Sequence, residues 1–194
     1  VVQGLGFVGS VMSLVCANSL AEDYIVIGID LPSPESYWKI CSINEGIFPI
    51  ISADKKVEEY FQNTKNKKNL YATYDPYVFS MADIIIVDIN LDVQKQAEHI
   101  YTDEVVDYSV DISGFKAAIK SIGENCKEDA LILIETTVPP GTTVLSSEII
   151  QNHLIERGLK KDKIKIGHSY ERVMPGPNYI DSIQNFYRVY SGIN

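Results

Sequence analysis

The sequence contains little cysteine, and it has fewer positive than negative charges. Only three cysteines occur among 194 residues, at positions 16, 41 and 126, and no two have the close spacing of a metal site or a disulfide framework. Lys and Arg number 17 against 26 Asp and Glu, a formal net charge of −9. Because binding to nucleic-acid phosphates needs a basic surface, we do not expect a nucleic-acid partner.

Long apolar runs are also lacking. No run approaches the roughly 18 residues needed to cross a bilayer, so no membrane association is expected, and nothing resembles a signal peptide. The histidines at 99, 153 and 168 form no cluster, so no metal site is predicted; His153, within a helical pattern, is expected at the surface. With 45% hydrophobic residues, we expect one cytoplasmic globular domain over residues 1–194.

Short β-branched runs alternate with amphipathic helical segments. Strands are predicted at residues 1–2, 24–30, 70–73, 82–89, 130–134, 163–169 and 188–191. Helices are predicted over 9–20, within 33–69, from a cap at Asp111, and from a cap at Thr142 or Thr143 to Gly158. Residues 90–110 are polar, and a long loop or hairpin is expected there. This alternation predicts an α/β fold, a Rossmann-like doubly wound parallel sheet with helices on both faces.

A glycine-rich turn follows the first predicted strand. Residues 4–9 read Gly-Leu-Gly-Phe-Val-Gly, which matches the G-x-G-x-x-G pattern of dinucleotide-binding folds. In that pattern the glycines allow a tight turn, a close approach to pyrophosphate and close helix packing, while the helix N-terminus favours phosphate. The turn residues predicted to bind the cofactor are Gly4, Gly6, Phe7, Val8 and Gly9.

Asp30 ends the second predicted strand, and its position favours NAD as the cofactor. A carboxylate at this position accepts hydrogen bonds from the ribose hydroxyls and repels the 2′-phosphate of NADP. At this point a glycine turn in an α/β protein that binds no nucleotide stays the alternative.

Three more short motifs follow Asp30. Residues 44–49 read Asn-Glu-Gly-Ile-Phe-Pro, residues 135–142 read Glu-Thr-Thr-Val-Pro-Pro-Gly-Thr, and residues 171–176 read Glu-Arg-Val-Met-Pro-Gly. Together with the glycine turn, their order and rough spacing resemble the nucleotide-sugar dehydrogenases, the family of UDP-glucose, UDP-N-acetylmannosamine and GDP-mannose dehydrogenases. Two places depart from that family's pattern: Ile89-Asn90 replace a Thr-Pro pair, and Tyr170 replaces a Pro.

The resemblance implies an NAD-binding domain of an enzyme for polysaccharide biosynthesis. Such an enzyme oxidises the primary alcohol of a UDP- or GDP-sugar to a carboxylate and reduces two NAD⁺. The resemblance also places a nucleophilic Cys and a Lys in a later domain beyond a central helix, and implies a homodimer or larger assembly for the full-length protein. We therefore expect these 194 residues to be a fragment that binds NAD⁺ but does not oxidise a sugar by itself.

The resemblance also points to residues at the reaction side of the cofactor. Thr137 is expected to orient a water or the substrate oxygen near the nicotinamide, in a catalytic and a cofactor-binding role. Glu171 is expected to assist proton transfer during hydrolysis, with its pKa raised by partial burial; an ion pair with Arg172 would instead lower that pKa. The residues expected to line the substrate pocket are Glu171, Arg172, Val173, Pro175 and Gly176.

Two other functions stay open from the sequence. A 3-hydroxyacid or 6-phosphogluconate-type dehydrogenase shares the glycine fingerprint, although the motifs at 135–142 and 171–176 argue against it. A non-catalytic NAD-binding module is the other alternative, and it would lack the Cys and Lys beyond Asn194.

Overall fold

One sheet of seven strands organises the protein in a computed structural model that describes residues 1–91 and 110–193. The strands are β1 (Val2–Gln3), β2 (Val26–Ile29), β3 (Leu70–Thr73), β4 (Ile84–Val87), β5 (Leu131–Ile134), β6 (Lys165–Ser169) and β7 (Tyr190–Gly192). Their order in the sheet is β3-β2-β1-β4-β5-β6-β7. The first six are mutually parallel, and β7 runs antiparallel to β6. This order of the parallel strands is that of dinucleotide-binding folds, so the predicted Rossmann-like class is confirmed.

Helices cover both faces of the sheet. They are α1 (Phe7–Ala17), α2 (Tyr37–Asn44), α3 (Lys55–Lys67), α4 (Ser113–Asn125), α5 (Thr142–Glu156) and α6 (Tyr179–Asn185), with a 3-10 helix at Pro76–Ser80. Residues of α1, α3 and α6 form one apolar cluster, and residues of α4 and α5 belong to another. Across residues 1–91 and 110–193, every helix is too short or too polar to cross a membrane.

The central strands are apolar on both faces because a helical layer lies against each face. Ile85 and Val87 of β4 pack with Ile119 of α4 and Ile150 of α5. Ile86, between them in sequence, packs instead against the cluster formed by α1, α3 and α6. Alternate residues of a strand face opposite sides, so a strand covered on both sides is apolar throughout. This is the pattern from which the strands were predicted.

Most predicted elements lie within a few residues of the observed ones, and β3 agrees at both ends. Two short elements were not predicted, the 3-10 helix Pro76–Ser80 and α6. The predicted loop over residues 90–110 falls almost wholly on residues 92–109, outside the described residues. The sheet is parallel as predicted except at β7, which returns beside β6 in the opposite direction.

The predicted start of α5 was wrong in its capping residue. Gly141, not Thr142 or Thr143, is the N-cap, and no side chain caps the helix. Gly141 has a φ of 88°, a left-handed conformation that glycine adopts without steric cost. The turn that ends the Pro-Pro-Gly segment therefore depends on this glycine.

The parallel strands all end at one edge of the sheet, which we call the carboxyl edge. The residues that follow these strand ends include Gly4, Asp30, Asp88, Thr137 and Glu171. Ligands of open α/β sheets bind outside this edge. The fold therefore places the predicted site residues along one line.

Asn44, the last residue of α2, holds that helix against the edge strand β3. Its Nδ2 donates to the carbonyl oxygen of Ala72 at 2.8 Å, and its Oδ1 accepts from the Ala72 N–H at 2.9 Å. One side chain thereby satisfies both outward-facing backbone groups of a residue on the sheet edge. This contact sets the position of α2 relative to the end of β3.

Replacing Asn44 with Ala is expected to lower the free energy of unfolding by about 1–3 kcal/mol, because the Ala72 backbone groups lose their partners. The matched control is Asn66→Ala on the exposed face of α3. The Asn66→Ala variant should have the wild-type free energy of unfolding or a slightly higher one, since Ala is the better helix former. Urea unfolding followed by circular dichroism measures both variants, and equal losses would contradict the role of Asn44.

Candidate functional site

The glycine turn between β1 and α1 is closed against the protein at two positions and open at a third. Gly4 has a φ of 99°, and a Cβ there would lie 2.1 Å from the carbonyl oxygen of Asp88. A Cβ on Gly9 would lie 1.8 Å from the carbonyl oxygen of Gly4. A Cβ on Gly6 would meet no protein atom within 4 Å. The open position is the one where backbone approaches a pyrophosphate in dinucleotide-binding folds.

The N-terminus of α1 points out of this turn without a capping side chain. Gly6 is the N-cap residue, and the first turn of the helix contains no acidic residue. Its first backbone N–H groups and the positive end of the helix dipole are therefore available to an anion. Phe7 is exposed and Val8 is half-buried, and the hydroxyl of Tyr179 donates to the Phe7 carbonyl oxygen. The start of α1 is thus held in place by α6.

Asp30 lies one residue past β2 and connects three parts of the chain. Its Oδ1 accepts from the Leu31 N–H at 2.8 Å, and its Oδ2 accepts from the Leu5 N–H at 3.0 Å. Lys39 of α2 donates to the same Oδ2 at 3.4 Å. Sequence reasoning missed Lys39, because no short motif joins it to Asp30 and only the packing of α2 brings them together. The carboxylate is therefore held beside the glycine turn with a cation next to it.

A row of polar side chains lies farther along the carboxyl edge. The register of β4, β5 and β6 puts Asp88, Glu135 and Ser169 side by side. Glu135 is 2% exposed and forms an ion pair with Arg188. Among the described residues, four buried atoms of this row have no hydrogen-bond partner, namely Asp88 Oδ2, Ser169 Oγ, and Nε and Nη2 of Arg188. Unpartnered buried polar atoms are rare in folded proteins, so this row is a candidate for a functional role.

Asp88 is a strongly perturbed carboxyl of this row. Burial and the nearby Glu171 carboxylate raise its pKa from 3.8 to about 7, against the opposing effect of Arg188. Burial, followed by the charges of Asp88 and Glu171, raises the pKa of the Tyr179 hydroxyl as well. Sequence reasoning assigned Asp88 no role, although a carboxylate within an apolar run is a signal that could have found it. A carboxyl with such a pKa is able to hold a proton near neutral pH.

The two threonines after β5 differ in their surroundings. Thr136 is 6% exposed, and its Oγ1 accepts from the Ile89 N–H at 2.8 Å and donates to the Val87 carbonyl oxygen at 3.3 Å. The Thr136 carbonyl oxygen also lies 3.2 Å from Nε2 of His168. Thr136 therefore joins the ends of β4, β5 and β6, whereas Thr137 is exposed at the edge. Of the two hydroxyls, that of Thr137 is the one accessible to a ligand.

Glu171 is half-buried two residues past β6. Its carboxylate accepts from the Val173 N–H, and burial raises its pKa. Arg172 points elsewhere: its Nη1 donates to the Tyr187 carbonyl oxygen at 3.3 Å, and its guanidinium lies 5.9 Å from the ring of Tyr170. The alternative of a Glu171–Arg172 ion pair is therefore not observed, and burial decides the direction of the pKa shift.

The remaining predicted substrate residues continue the same segment. Pro175 is exposed and Gly176 is half-buried, between Glu171 and the start of α6. The structure thus brings Asp30 and the glycine turn together, whereas Thr137 and the segment from Glu171 to Gly176 follow the neighbouring strands β5 and β6.

His153, expected at the surface, is half-buried between α4 and α5. Its side chain is 20% exposed and its Nδ1 lies 2.9 Å from a Glu156 oxygen. A Cβ on Gly123 would lie 3.1 Å from the His153 Cβ. The glycine lets the two helices approach closely, and that approach covers the histidine. In residues 1–91 and 110–193, no group of three His, Cys, Asp or Glu side chains is placed to hold a metal ion.

Comparison with known proteins gives consistent matches over the chain. Residues 1–192 match the model of the UDP-glucose/GDP-mannose dehydrogenase family, NAD binding domain. UDP-N-acetyl-D-mannosamine dehydrogenase of Pyrococcus horikoshii is 25% identical over 194 residues, which cover 100% of this chain and 40% of that protein. UDP-glucose 6-dehydrogenase YwqF of Bacillus subtilis is 30% identical over 157 residues, 80% of this chain and 31% of that protein.

A solved structure supports the same relationship. The NDP-N-acetyl-D-galactosaminuronic acid dehydrogenase from Methanosarcina mazei superimposes with a TM-score of 0.83 at 25% identity. The match covers 100% of this chain and 38% of that one. The chain therefore spans about two fifths, or less, of the length of these relatives.

Two glycine substitutions should separate cofactor binding from stability. Gly6→Ala adds a methyl group to open space, so we expect an unchanged fold and at least about tenfold weaker NAD⁺ binding, equivalent to about 1.4 kcal/mol. Gly9→Ala forces a Cβ against backbone and should lower the free energy of unfolding by about 1–3 kcal/mol. Calorimetric titration and chemical denaturation measure the two effects. A Gly6→Ala chain with wild-type affinity would contradict the approach of the pyrophosphate at Gly6. A Gly9→Ala chain with wild-type stability would contradict the tight packing at Gly9.

The raised pKa of Asp88 predicts that stability falls with increasing pH. The folded chain holds the proton up to about pH 7, whereas the unfolded chain releases it near 3.8, so the stabilisation is present below about pH 4 and is lost by about pH 7. The titratable and charged groups that interact with Asp88 are Glu171, Arg188 and Tyr179. From pH 5 to pH 8 this one carboxyl should lower the free energy of unfolding by about 2–3 kcal/mol.

Asp88→Asn should remove that part of the pH dependence and make the chain more stable at pH 8. Asp83→Asn is the control. Lys127 lowers the pKa of this exposed carboxyl in the folded chain, so Asp83 ionises below pH 5 in the folded and in the unfolded chain alike. Urea unfolding at pH 5 and pH 8 measures the difference for each variant. The assignment is wrong if Asp88→Asn and wild type show the same pH dependence.

Proposed function

The chain belongs to the UDP-glucose/GDP-mannose dehydrogenase family as its NAD-binding domain, and from this premise we propose an activity for the protein. We propose that it is the cofactor-binding part of a cytoplasmic nucleotide-sugar 6-dehydrogenase. The reaction is oxidation of the primary alcohol of a UDP- or GDP-sugar to a carboxylate, with reduction of two NAD⁺. Support comes from relatives named for UDP-sugar oxidation that match all or most of this chain.

The observation that carries the proposal is the arrangement of the carboxyl edge. An open glycine turn and an acidic residue past β2 lie on the same edge as an exposed hydroxyl past β5 and a half-buried carboxyl past β6. The first pair suits a dinucleotide, and the second pair suits proton transfer and substrate positioning. Oxidation of a nucleotide sugar requires a dinucleotide-binding part and a proton-transfer part in one site.

The residues of the turn fit NAD. A Cβ on Gly6 would enter space that no protein atom occupies, and the uncapped start of α1, at Phe7 and Val8, offers N–H donors to the pyrophosphate. The carboxylate of Asp30 accepts from the adenosine ribose hydroxyls, with Lys39 beside it to offset the charge. When bound, NAD⁺ supplies the hydride acceptor for both oxidation steps.

At the reaction end, Thr137 and Glu171 have different roles. The exposed hydroxyl of Thr137 orients a water or the substrate oxygen. Glu171, whose pKa burial raises, assists proton transfer during the hydrolysis step, as a carboxylate made more basic by burial can. The exposed guanidinium of Arg172 supplies the positive charge that a sugar-nucleotide pyrophosphate needs. Val173, Pro175 and Gly176 complete that wall of the pocket.

The nucleophile of the proposed reaction lies outside this chain. A reactive cysteine needs a lowered pKa, because the thiolate is the attacking species. Burial instead raises the pKa of Cys16 and of Cys126. Cys41 lies on α2, away from Thr137 and Glu171. We therefore place the Cys and Lys of the reaction in a further domain.

Titration of the 194-residue chain with NAD⁺ and NADP⁺ tests the cofactor assignment. We expect NAD⁺ to bind at least about tenfold more tightly, since Asp30 repels the 2′-phosphate. Asp30→Asn should weaken NAD⁺ binding and reduce the preference to within about threefold, whereas the control Asp162→Asn, at an exposed residue before β6, should leave both unchanged.

Three results would count against these assignments. Absence of NAD⁺ binding by the wild-type chain contradicts the proposed function, and tighter binding of NADP⁺ contradicts the role of Asp30. Steady formation of NADH by the chain alone from a UDP- or GDP-sugar contradicts the placement of the nucleophile elsewhere.

A further inference from the structure

Two tyrosines near Asp30 are about half exposed to solvent. Tyr37 is the first residue of α2, and Tyr74 directly follows β3. Their ring centroids lie 5.9 Å apart with the planes at 56°. The two residues are 46% and 52% exposed. A paired aromatic surface that the core does not cover is available to an apolar ligand.

The position of the pair relative to Asp30 is set by the sheet and by α2. The Asp30 N–H donates to the Thr73 carbonyl oxygen at 3.2 Å, so Asp30 and Tyr74 are neighbours just past the paired ends of β2 and β3. On the helix side, Lys39 lies two residues after Tyr37 and reaches Asp30 at 3.4 Å. The ring pair therefore borders the ribose-binding carboxylate proposed above.

The pair is also held before any ligand arrives. Asn44 fastens the other end of α2 to β3 through two hydrogen bonds. At the start of the helix, the Tyr37 N–H donates to the Ser33 carbonyl oxygen at 2.8 Å, and Trp38 Nε1 donates to the Glu35 carbonyl oxygen at 3.0 Å. A surface that is already ordered loses little conformational entropy on binding.

We propose that Tyr37 and Tyr74 form an aromatic platform on which the adenine ring of NAD stacks. The inference rests on the proposed function, because it takes Asp30 as the site of the adenosine ribose. Adenine is bonded directly to that ribose, so the base lies against whatever surface borders the carboxylate. Stacking on a ring face needs no charge, which suits a chain whose formal net charge is −9 and whose ligand is anionic.

Alanine substitution measures how much each ring contributes to cofactor affinity. Tyr37→Ala and Tyr74→Ala should each weaken binding of both NAD⁺ and ADP-ribose by about 5- to 30-fold, since both ligands contain the adenine. Tyr37→Phe and Tyr74→Phe keep the ring and should bind within about twofold of wild type. Trp38 is the only tryptophan and lies next to Tyr37, so its fluorescence is one readout of the titration and calorimetry is the other.

Tyr71→Ala is the matched control. Tyr71 is also on β3 and is 48% exposed, but its hydroxyl donates to the Lys68 carbonyl oxygen at the opposite end of the strand. It should bind both ligands within about twofold of wild type. Thermal unfolding checks that each variant is folded. If an alanine variant is unfolded, Tyr37→Leu or Tyr74→Leu is measured in its place, because leucine keeps apolar bulk without a ring.

The outcomes separate this inference from the function on which it rests. A wild-type chain that binds neither NAD⁺ nor ADP-ribose contradicts the proposed function and the platform together. If the wild-type chain binds both ligands and the variants without a ring bind them with the wild-type affinity, the platform alone is contradicted. A loss for Tyr71→Ala as large as for Tyr74→Ala also contradicts it.

Discussion

The close contact between the glycine turn and the end of β4 is the constraint on which the site depends. The Asp88 N–H donates to the Gln3 carbonyl oxygen and the Gly4 N–H donates to the Ile29 carbonyl oxygen, both at 2.8 Å. The turn is thus fastened to the strands on both sides of β1, with no room for a side chain at Gly4. Because the turn cannot move away from the sheet, α1 starts at the middle of the carboxyl edge. Every other group of the site is placed relative to that start.

The charge of the chain makes these local contacts decisive. NAD and sugar nucleotides are anions, and a protein of net charge −9 gives them no overall attraction. Under the proposed function, attraction must act at short range, and the candidates for it are the backbone N–H groups at Gly6 and the cations Lys39 and Arg172. The buried row around Arg188 adds to this requirement, because it concentrates carboxyl groups near the same edge. One guanidinium cannot neutralise them all, and a proton held on Asp88 reduces the remaining charge.

The sequence was sufficient for the parts of the fold that depend on local pattern. β-branched runs revealed the strands because both faces of the sheet are buried, and the glycine spacing revealed the turn because the whole pattern lies within six consecutive residues. The same reasoning missed α6, whose start is held by distant contacts such as the Ile180 N–H to Asp54 Oδ2. It also missed the Glu135–Arg188 pair, which joins segments on different strands. Contacts between distant segments leave no local pattern, so they appear only once the chain is folded.

The carboxyl edge divides into two ends that meet at Asp88. Groups on or just past β2, β3 and α2 surround the proposed adenosine end, whereas Thr137 and Glu171 follow β5 and β6. A substitution on α2 is therefore expected to change affinity at the proposed adenosine end without touching the residues proposed for proton transfer. Asp88 is different, since its backbone closes the glycine turn while its carboxyl responds to the charge of Glu171. Asp88 is thus part of both ends, through its backbone at the glycine turn and through its carboxyl, whose pKa burial and the Glu171 charge raise.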